Sequence, residues 1–322
     1  MEKETKYVFS FDQHFGFAHG QALELVYPVN TAGGLLSELR WDMKPVYYLG
    51  LNTGISRRDI MSGPGFFTNI SFKFGIPGDT GSMEDRDWMS IENGGLTHFS
   101  CHTNHTNEFI CLDAVAGVSF PVRTFLYLKP FISGSWMRFS FSARDGMGQY
   151  ARKTTCTKNC ESISHLPGCP AAYTPNETTY HSINDNPHYY PFDGFKVITY
   201  TQDWLVIAAG FTAGTKALYP FLIDFSFKIS PFTYCAAADE HLIGNTVFMD
   251  FTGWGLYLEP QGSISLAVRQ LEFSLGLQYR YIGNTRGRTF IKHGESGFVL
   301  EGGKAGAGLS MLNAWFLIRL KN

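Results

Sequence analysis

Two pairs of residues that could do acid–base chemistry share one spacing. Asp85 and Asp87 stand two apart in Met83-Glu-Asp-Arg-Asp-Trp-Met89, as do Asp239 and His241 in Ala237-Ala-Asp-Glu-His241. On an extended segment such residues point the same way, so each pair opens into one space. Carboxylates that share a site interact strongly and can hold or polarise a water. A carboxylate beside an imidazole fixes its tautomer and supports the imidazolium formed when the ring takes a proton. Facing each other, the two pairs would be a water-activating set suited to amide hydrolysis. By spacing alone, a solvated loop accounts for the same residues.

Other patterns carry less. Asp79-Thr-Gly-Ser82 spells the active-site run of pepsin-like proteases, but Ile76-Pro-Gly78 precedes it where an apolar strand is needed, and no second copy exists. Asp79 therefore reads as a turn residue. His98, Cys101, His102 and His105 have zinc-binding side chains, yet no second ligand pair follows at finger-like spacing, and no metal is expected. Gly302-Gly-Lys-Ala-Gly-Ala-Gly308 lacks the Gly-Lys-Ser/Thr of a phosphate loop and reads as small residues relieving crowding within a strand. The six cysteines, Cys101, Cys111, Cys156, Cys160, Cys169 and Cys235, are even in number, and three fall in the longest polar stretch. At an oxidising cell surface they are expected to staple loops.

The elements that would position the two pairs are strands. Aromatics reach 16 % of the 322 residues and charged residues only 17 %, with a formal net charge of −2. No basic run would track a phosphate backbone, which argues against a nucleic-acid partner. Period-two alternation recurs: Met137, Phe139, Phe141 and Ala143 against Arg138, Ser140, Ser142 and Arg144; Leu271 to Tyr281; Phe221 to Phe227. Such strands fit a soluble sandwich or an outer-membrane barrel, and connector lengths favour the barrel. Short breaks near Pro121, near Gly214 and at Glu259-Pro-Gln-Gly262 alternate with long polar stretches around 77 to 105, 145 to 190, 233 to 245 and 284 to 300. Roughly ten strands result, an even number, and closure removes sheet edges. The expected fold is all-β, a ten-stranded antiparallel transmembrane β-barrel with long extracellular loops, one domain over 1–322. The first residues lack an apolar signal core, consistent with a cytosolic start or with a leader already removed.

On these residues the chain resembles the omptins, an outer-membrane protease family built on a ten-stranded barrel. Met83 to Met89 resembles the family's Met-x-Asp-x-Asp-Trp-Met, and Asp239-Glu-His241 its Asp-Glu-His. Leu39-Arg-Trp41, Asn107-Glu-Phe109 and Ala305-Gly-Ala-Gly-Leu309 fall in family order around them. The resemblance implies a monomeric endopeptidase of the cell outer membrane, its active site facing the exterior, acting on peptides or proteins at the cell surface. It needs no cofactor, unless an activating lipid. His241 would be the general base, Asp239 its orienter, and Asp85 with Asp87 would position the water, with no covalent intermediate. It also implies a pocket of two acids for a basic residue before the scissile bond. Glu24 matches one acid, but Ala237 stands where the other belongs, so the basic preference is open. Of the family's outward lipopolysaccharide site, an aromatic, an acid and an Arg, the positions here read Gly134, Trp136 and Arg138, with Asp203 in place of a basic residue on the next strand. Arg138 is the residue left to bind outer-membrane lipid. A barrel of the same shape serving as adhesin or receptor is the competing expectation.

Overall fold

The computed structural model describes residues 7–28, 34–57, 64–89, 95–155, 178–180, 182–185 and 187–320. Its elements are strands: β1 (Tyr7–Tyr27), β2 (Ser37–Arg57), β3 (Gly65–Gly75), β4 (Gly78–Asp87), β5 (His98–Arg123), β6 (Leu126–Tyr150), the short β7 (Lys153–Thr155), β8 (Thr178–Tyr180) and β9 (His188–Pro191), then β10 (Lys196–Thr215), β11 (Phe221–His241), β12 (Thr246–Gly253), β13 (Tyr257–Val268), β14 (Leu271–Ile282), β15 (Arg286–His293) and β16 (Val299–Leu320). Three pairs, β3 with β4, β12 with β13 and β14 with β15, are single staves broken briefly in the middle. Counted so, ten antiparallel staves run around a ring that closes where β1 pairs with β16. Closure satisfies every stave on both sides, which hydrocarbon demands of a spanning sheet.

The outer and inner faces divide by alternation. Phe9, Phe11, Phe15 and Phe17 of β1 and Tyr47, Leu49 and Leu51 of β2 point outward and are exposed, while Asp12, His14 and Ala18 point inward and are buried. An apolar outside over a mixed inside is the pattern of a barrel in lipid. Trp136, Tyr234 and Trp254, all exposed, mark the upper edge of this belt. Above it the outward residues turn charged: Arg86 pairs with Glu84 and Glu38, and Arg40 with Glu38 at 2.5 Å. The active-type residues occupy this upper, water-facing part.

The lumen is filled rather than open. Trp41 stacks on Phe141 and Tyr200 at 5.7 and 5.5 Å between ring centroids, and Phe109 meets Tyr48 and Phe139 at 5.9 and 5.3 Å. Beneath this aromatic deck lies a buried ionic group in which Arg280 bonds Glu259 at 2.6 Å and Asp113 at 3.2 Å, and Lys228 reaches Glu259 at 2.7 Å. Below that is a polar cavity of about 320 Å³ lined by residues such as Lys73, Lys129, Asp224 and Arg319. Deck and ion pairs together give the mouth a rigid floor.

Several expectations about connectors are corrected. Glu259-Pro-Gln-Gly262 is not a turn but the middle of β13, with Glu259 turned inward to Arg280 and Lys228; the turn lies at Arg269, whose φ is 52°. Pro and Gly imitate a break there, but a luminal ion pair holds the strand in place. The stretches 77 to 105, 233 to 245 and 284 to 300 are largely strand as well: β4 and β5 leave only 88–97 between them, and β11 runs to His241. A stave above the lipid has water outside and polar groups inside, so it loses the apolar alternation that marks a strand. Cys111 and Cys235 are buried inside strands, and together with Cys101 they are unpaired thiols. Cys156, Cys160 and Cys169 lie outside the described residues.

Candidate active site

The first acid pair sits at the upper end of β4. Met83 is fully buried inward, so alternation carries Asp85 and Asp87 inward too, while Glu84 and Arg86 take the outer face. Asp85 stands between Leu39 of β2 and Ser100 of β5, and Asp87 between Ser37 and His98. The Ser37 hydroxyl donates to Asp85 Oδ1 at 3.5 Å. The second pair ends β11. Asp239 lies between Tyr200 and Phe248, and His241 between Ile198 and Thr246. His241 Nε2 bonds Asp239 Oδ2 at 2.6 Å, and its ring meets Phe248 edge-on at 5.4 Å. Asp239 is 2 % exposed, whereas the His241 side chain remains 37 % exposed to the mouth.

In the ring β4 and β11 are four staves apart out of ten, nearly opposite, so the pairs face across the mouth. Their electrostatics show one shared space. Burial first, then the Asp87 charge, pushes the Asp85 carboxyl well above its ordinary range, with Asp239 adding and His241 opposing. Asp87 is raised by burial and held back by Ser37, His98 and His241. For His241 burial pulls the ring down, but the Asp239 charge and hydrogen bond outweigh it. Asp85 and Asp87 add to them, and the ring titrates at about 8. Carboxyls that resist ionisation facing an imidazole held by a buried carboxylate form a set in which protons can be exchanged at moderate cost.

Glu24, on β1 beside Leu39 and Ala307, also faces inward. Burial and the charges of Asp239, Asp250 and Asp85 raise its carboxyl well above the usual range. Arg138 faces outward above the belt, where it bonds Glu108 at 2.6 Å and Asp203 at 3.0 Å. The imagined zinc set does not converge: His102 is buried with Nε2 on Ser100 and its ring near Phe192, while His105 pairs with Asp79 at 2.8 Å outside. Asp79 is thus a strand residue on β4 rather than a turn residue, bonded by Arg144 at 2.7 Å as well.

Two lining residues, Ser37 and Asp250, escaped the sequence reading, and a third, His98, figured there only as a zinc-binding side chain. Ser37 and His98 are supplied by the strands on either side of β4, so only pairing reveals them. Asp250 projects inward from β12 opposite Ala237. Its signal was a lone acid in Phe248-Met-Asp-Phe251, a weak one without the ring.

Comparison with known proteins agrees with this geometry. The plasminogen activator of Yersinia pestis is 25 % identical over 250 residues, a match covering 75 % of this chain and 65 % of that protein's length. The crystal structure of the outer membrane protease OmpT from Escherichia coli superposes with a TM-score of 0.75 over 99 % of both chains at 17 % identity, which establishes the shared barrel. With the omptin family model matching residues 5–167 and 173–321, a ring of ten staves and an acid-lined mouth above the lipid belt, the protein belongs to the omptin family and is an outer-membrane β-barrel with its site facing the exterior.

Proposed function

We propose that the protein is a surface endopeptidase that hydrolyses peptide bonds with a water held between Asp85 and Asp87 on one side and the Asp239–His241 pair on the other. The single observation that carries this reading is the 2.6 Å Asp239–His241 bond facing two raised carboxyls across the mouth. His241 commits Nε2 to Asp239, leaving Nδ1 as the nitrogen that takes a proton from the water. The water oxygen attacks the carbonyl carbon, and Asp239 stabilises the resulting imidazolium. When the C–N bond breaks, the same proton passes to the leaving amine. The Asp couple positions the water and manages charge on the tetrahedral intermediate. The names of the two relatives, a plasminogen activator and an outer membrane protease, support the assignment to proteolysis.

The test is refolding in detergent and incubation with a mixed peptide library, beside His241→Ala and Asp85→Ala. Cleavage by the parent that both variants lose supports the protease. Equal, low background in all three supports instead a binding barrel whose surface loops capture a partner without turnover.

A further inference from the structure

A second imidazole stands beside the Asp85 and Asp87 couple. Antiparallel pairing sets His98 of β5 directly opposite Asp87 of β4, and Tyr150 of β6 directly opposite His98. Directly opposed residues share a face, so the three side chains line the mouth in one row with Ser37 of β2. The His98 and Tyr150 rings lie 5.2 Å apart between centroids. Burial, with the charges of Asp85 and Asp87, pushes the Tyr150 phenol up to about 12, so this ring shares the space of the couple and stays neutral there.

A clip holds the imidazole. The Thr97 hydroxyl gives its one hydrogen to the Asp87 carbonyl oxygen at 2.9 Å and accepts the Met89 N–H at 3.0 Å. Toward His98 Nδ1, 3.1 Å away, it can therefore only accept, so Nδ1 carries a proton and Nε2 is the nitrogen that gains or loses one. One hydroxyl thus ties the ring to the backbone of the residue it opposes. The titratable groups around the ring are Asp87 and Asp85 from β4, neutral Tyr150 from β6, His188 opposite Tyr150 on β9, and Asp239 with His241 across the mouth. On Asp87 the His98 charge outweighs that of His241, whereas on Asp85 it is His241 that opposes the rise. Two carboxyls in one space resist ionising together, and a cation beside one of them decides which does.

We propose that His98 is a positioning residue: its imidazolium pairs with Asp87 and fixes the negative charge of the couple there, leaving the proton of the couple on Asp85. The proposal rests on the protease reading above and divides the duties of the two acids. Asp87 accepts a hydrogen of the attacking water, and Asp85 meets the charge of the tetrahedral intermediate.

The test separates pairing from catalysis. In an NMR titration in detergent, the His98 ring, assigned by its loss in His98→Gln, should titrate about one pH unit or more lower in Asp87→Asn than in the parent, a tenfold change in its proton affinity. A ring unmoved in Asp87→Asn overturns the proposal whether or not the protein cleaves anything. On a peptide substrate, at the pH of highest activity, His98→Gln should lower kcat about tenfold or more, the size of a charge-assisted hydrogen bond, with KM within about threefold of the parent's. His98→Lys, which returns a cation without the ring, should recover about a third or more of the parent kcat; His98→Arg takes its place if heat-modifiable migration shows that the lysine variant has not folded. A purely structural role would leave the cationic variant no better than His98→Gln. That result, or a kcat unchanged in His98→Gln, overturns the proposal. If the parent cleaves nothing, the protease reading falls, and the titration alone then decides whether His98 and Asp87 pair.

Discussion

Replacing Asp239 by Asn keeps the shape of the side chain and removes its charge, so it isolates what the carboxylate does to His241. In the parent the ring titrates at about 8 although burial alone would lower it from the ordinary 6.5. Two forces reverse burial: first the Asp239 charge with its 2.6 Å bond, then the weaker fields of Asp85 and Asp87. Removing the first leaves burial opposed only by the second, and the ring should fall to about 6.5 or below, a drop of about 1.5 pH units or more. That corresponds to roughly 2 kcal/mol, trimmed to about 1 kcal/mol of stability because the ring is 37 % exposed and screened by water. For a raised histidine this stability is fully present below pH 6.5 and is lost as pH rises through 8. The activity moves the opposite way, because the base works unprotonated. The acid limb of kcat/KM should lie near pH 8 in the parent and near or below pH 6.5 in Asp239→Asn, with the plateau reduced by about a hundredfold or more. The assay is a pH profile on a peptide substrate, paired with an NMR titration of the ring assigned by its loss in His241→Ala. An acid limb that stays near 8 in the variant, or a plateau equal to the parent's, would refute the role given to Asp239.

Asp250→Asn should stabilise the barrel at pH 8. A carboxyl raised to about 7 from its ordinary 3.8 favours folding in full below about 3.8 and withdraws that contribution as pH climbs to 7, on the order of a few kcal/mol. Urea unfolding at pH 8 and pH 3.5 checks this, and a difference that is the same at both pH values defeats it. Arg280→Met should cost about 3–5 kcal/mol in urea unfolding, because it leaves Glu259 and Asp113 buried without their guanidinium; an unchanged midpoint would show that Lys228 suffices. The double variant Glu108→Gln/Asp203→Asn should strengthen binding to anionic lipid vesicles, since those acids occupy Arg138. Adding Arg138→Ala should abolish the gain, and vesicle binding that does not change would remove Arg138 from lipid recognition.

Much of this was legible along the chain wherever the barrel crosses lipid. Phe221 to Phe227 and Leu271 to Tyr281 read as strands because lipid and lumen impose opposite demands on alternate residues. The reading faltered above the belt. Asp79, Glu84 and Glu240 lie in strands whose two faces are both wet, so β4 and the upper end of β11 look like loop in sequence. Pro260 and Gly262 misled for a different reason: the force that keeps β13 straight is the grip of Arg280 and Lys228 on Glu259, from the neighbouring staves β14 and β11 in a register that local sequence does not reveal.

By itself the sequence determined the all-β class, the two acid–base pairs and their co-facial spacing, because side-chain direction along a strand is a local property with a period of two. Which residues oppose one another is not local. Pairing within the β11–β12 hairpin brought Asp250 beside Ala237, but only closure of the ring set Asp85 across from His241 and Asp250 within electrostatic reach of Glu24, and strand burial made Cys111 and Cys235 buried thiols rather than loop staples. Those neighbours follow from register between staves, which depends on every pairing around the cylinder at once.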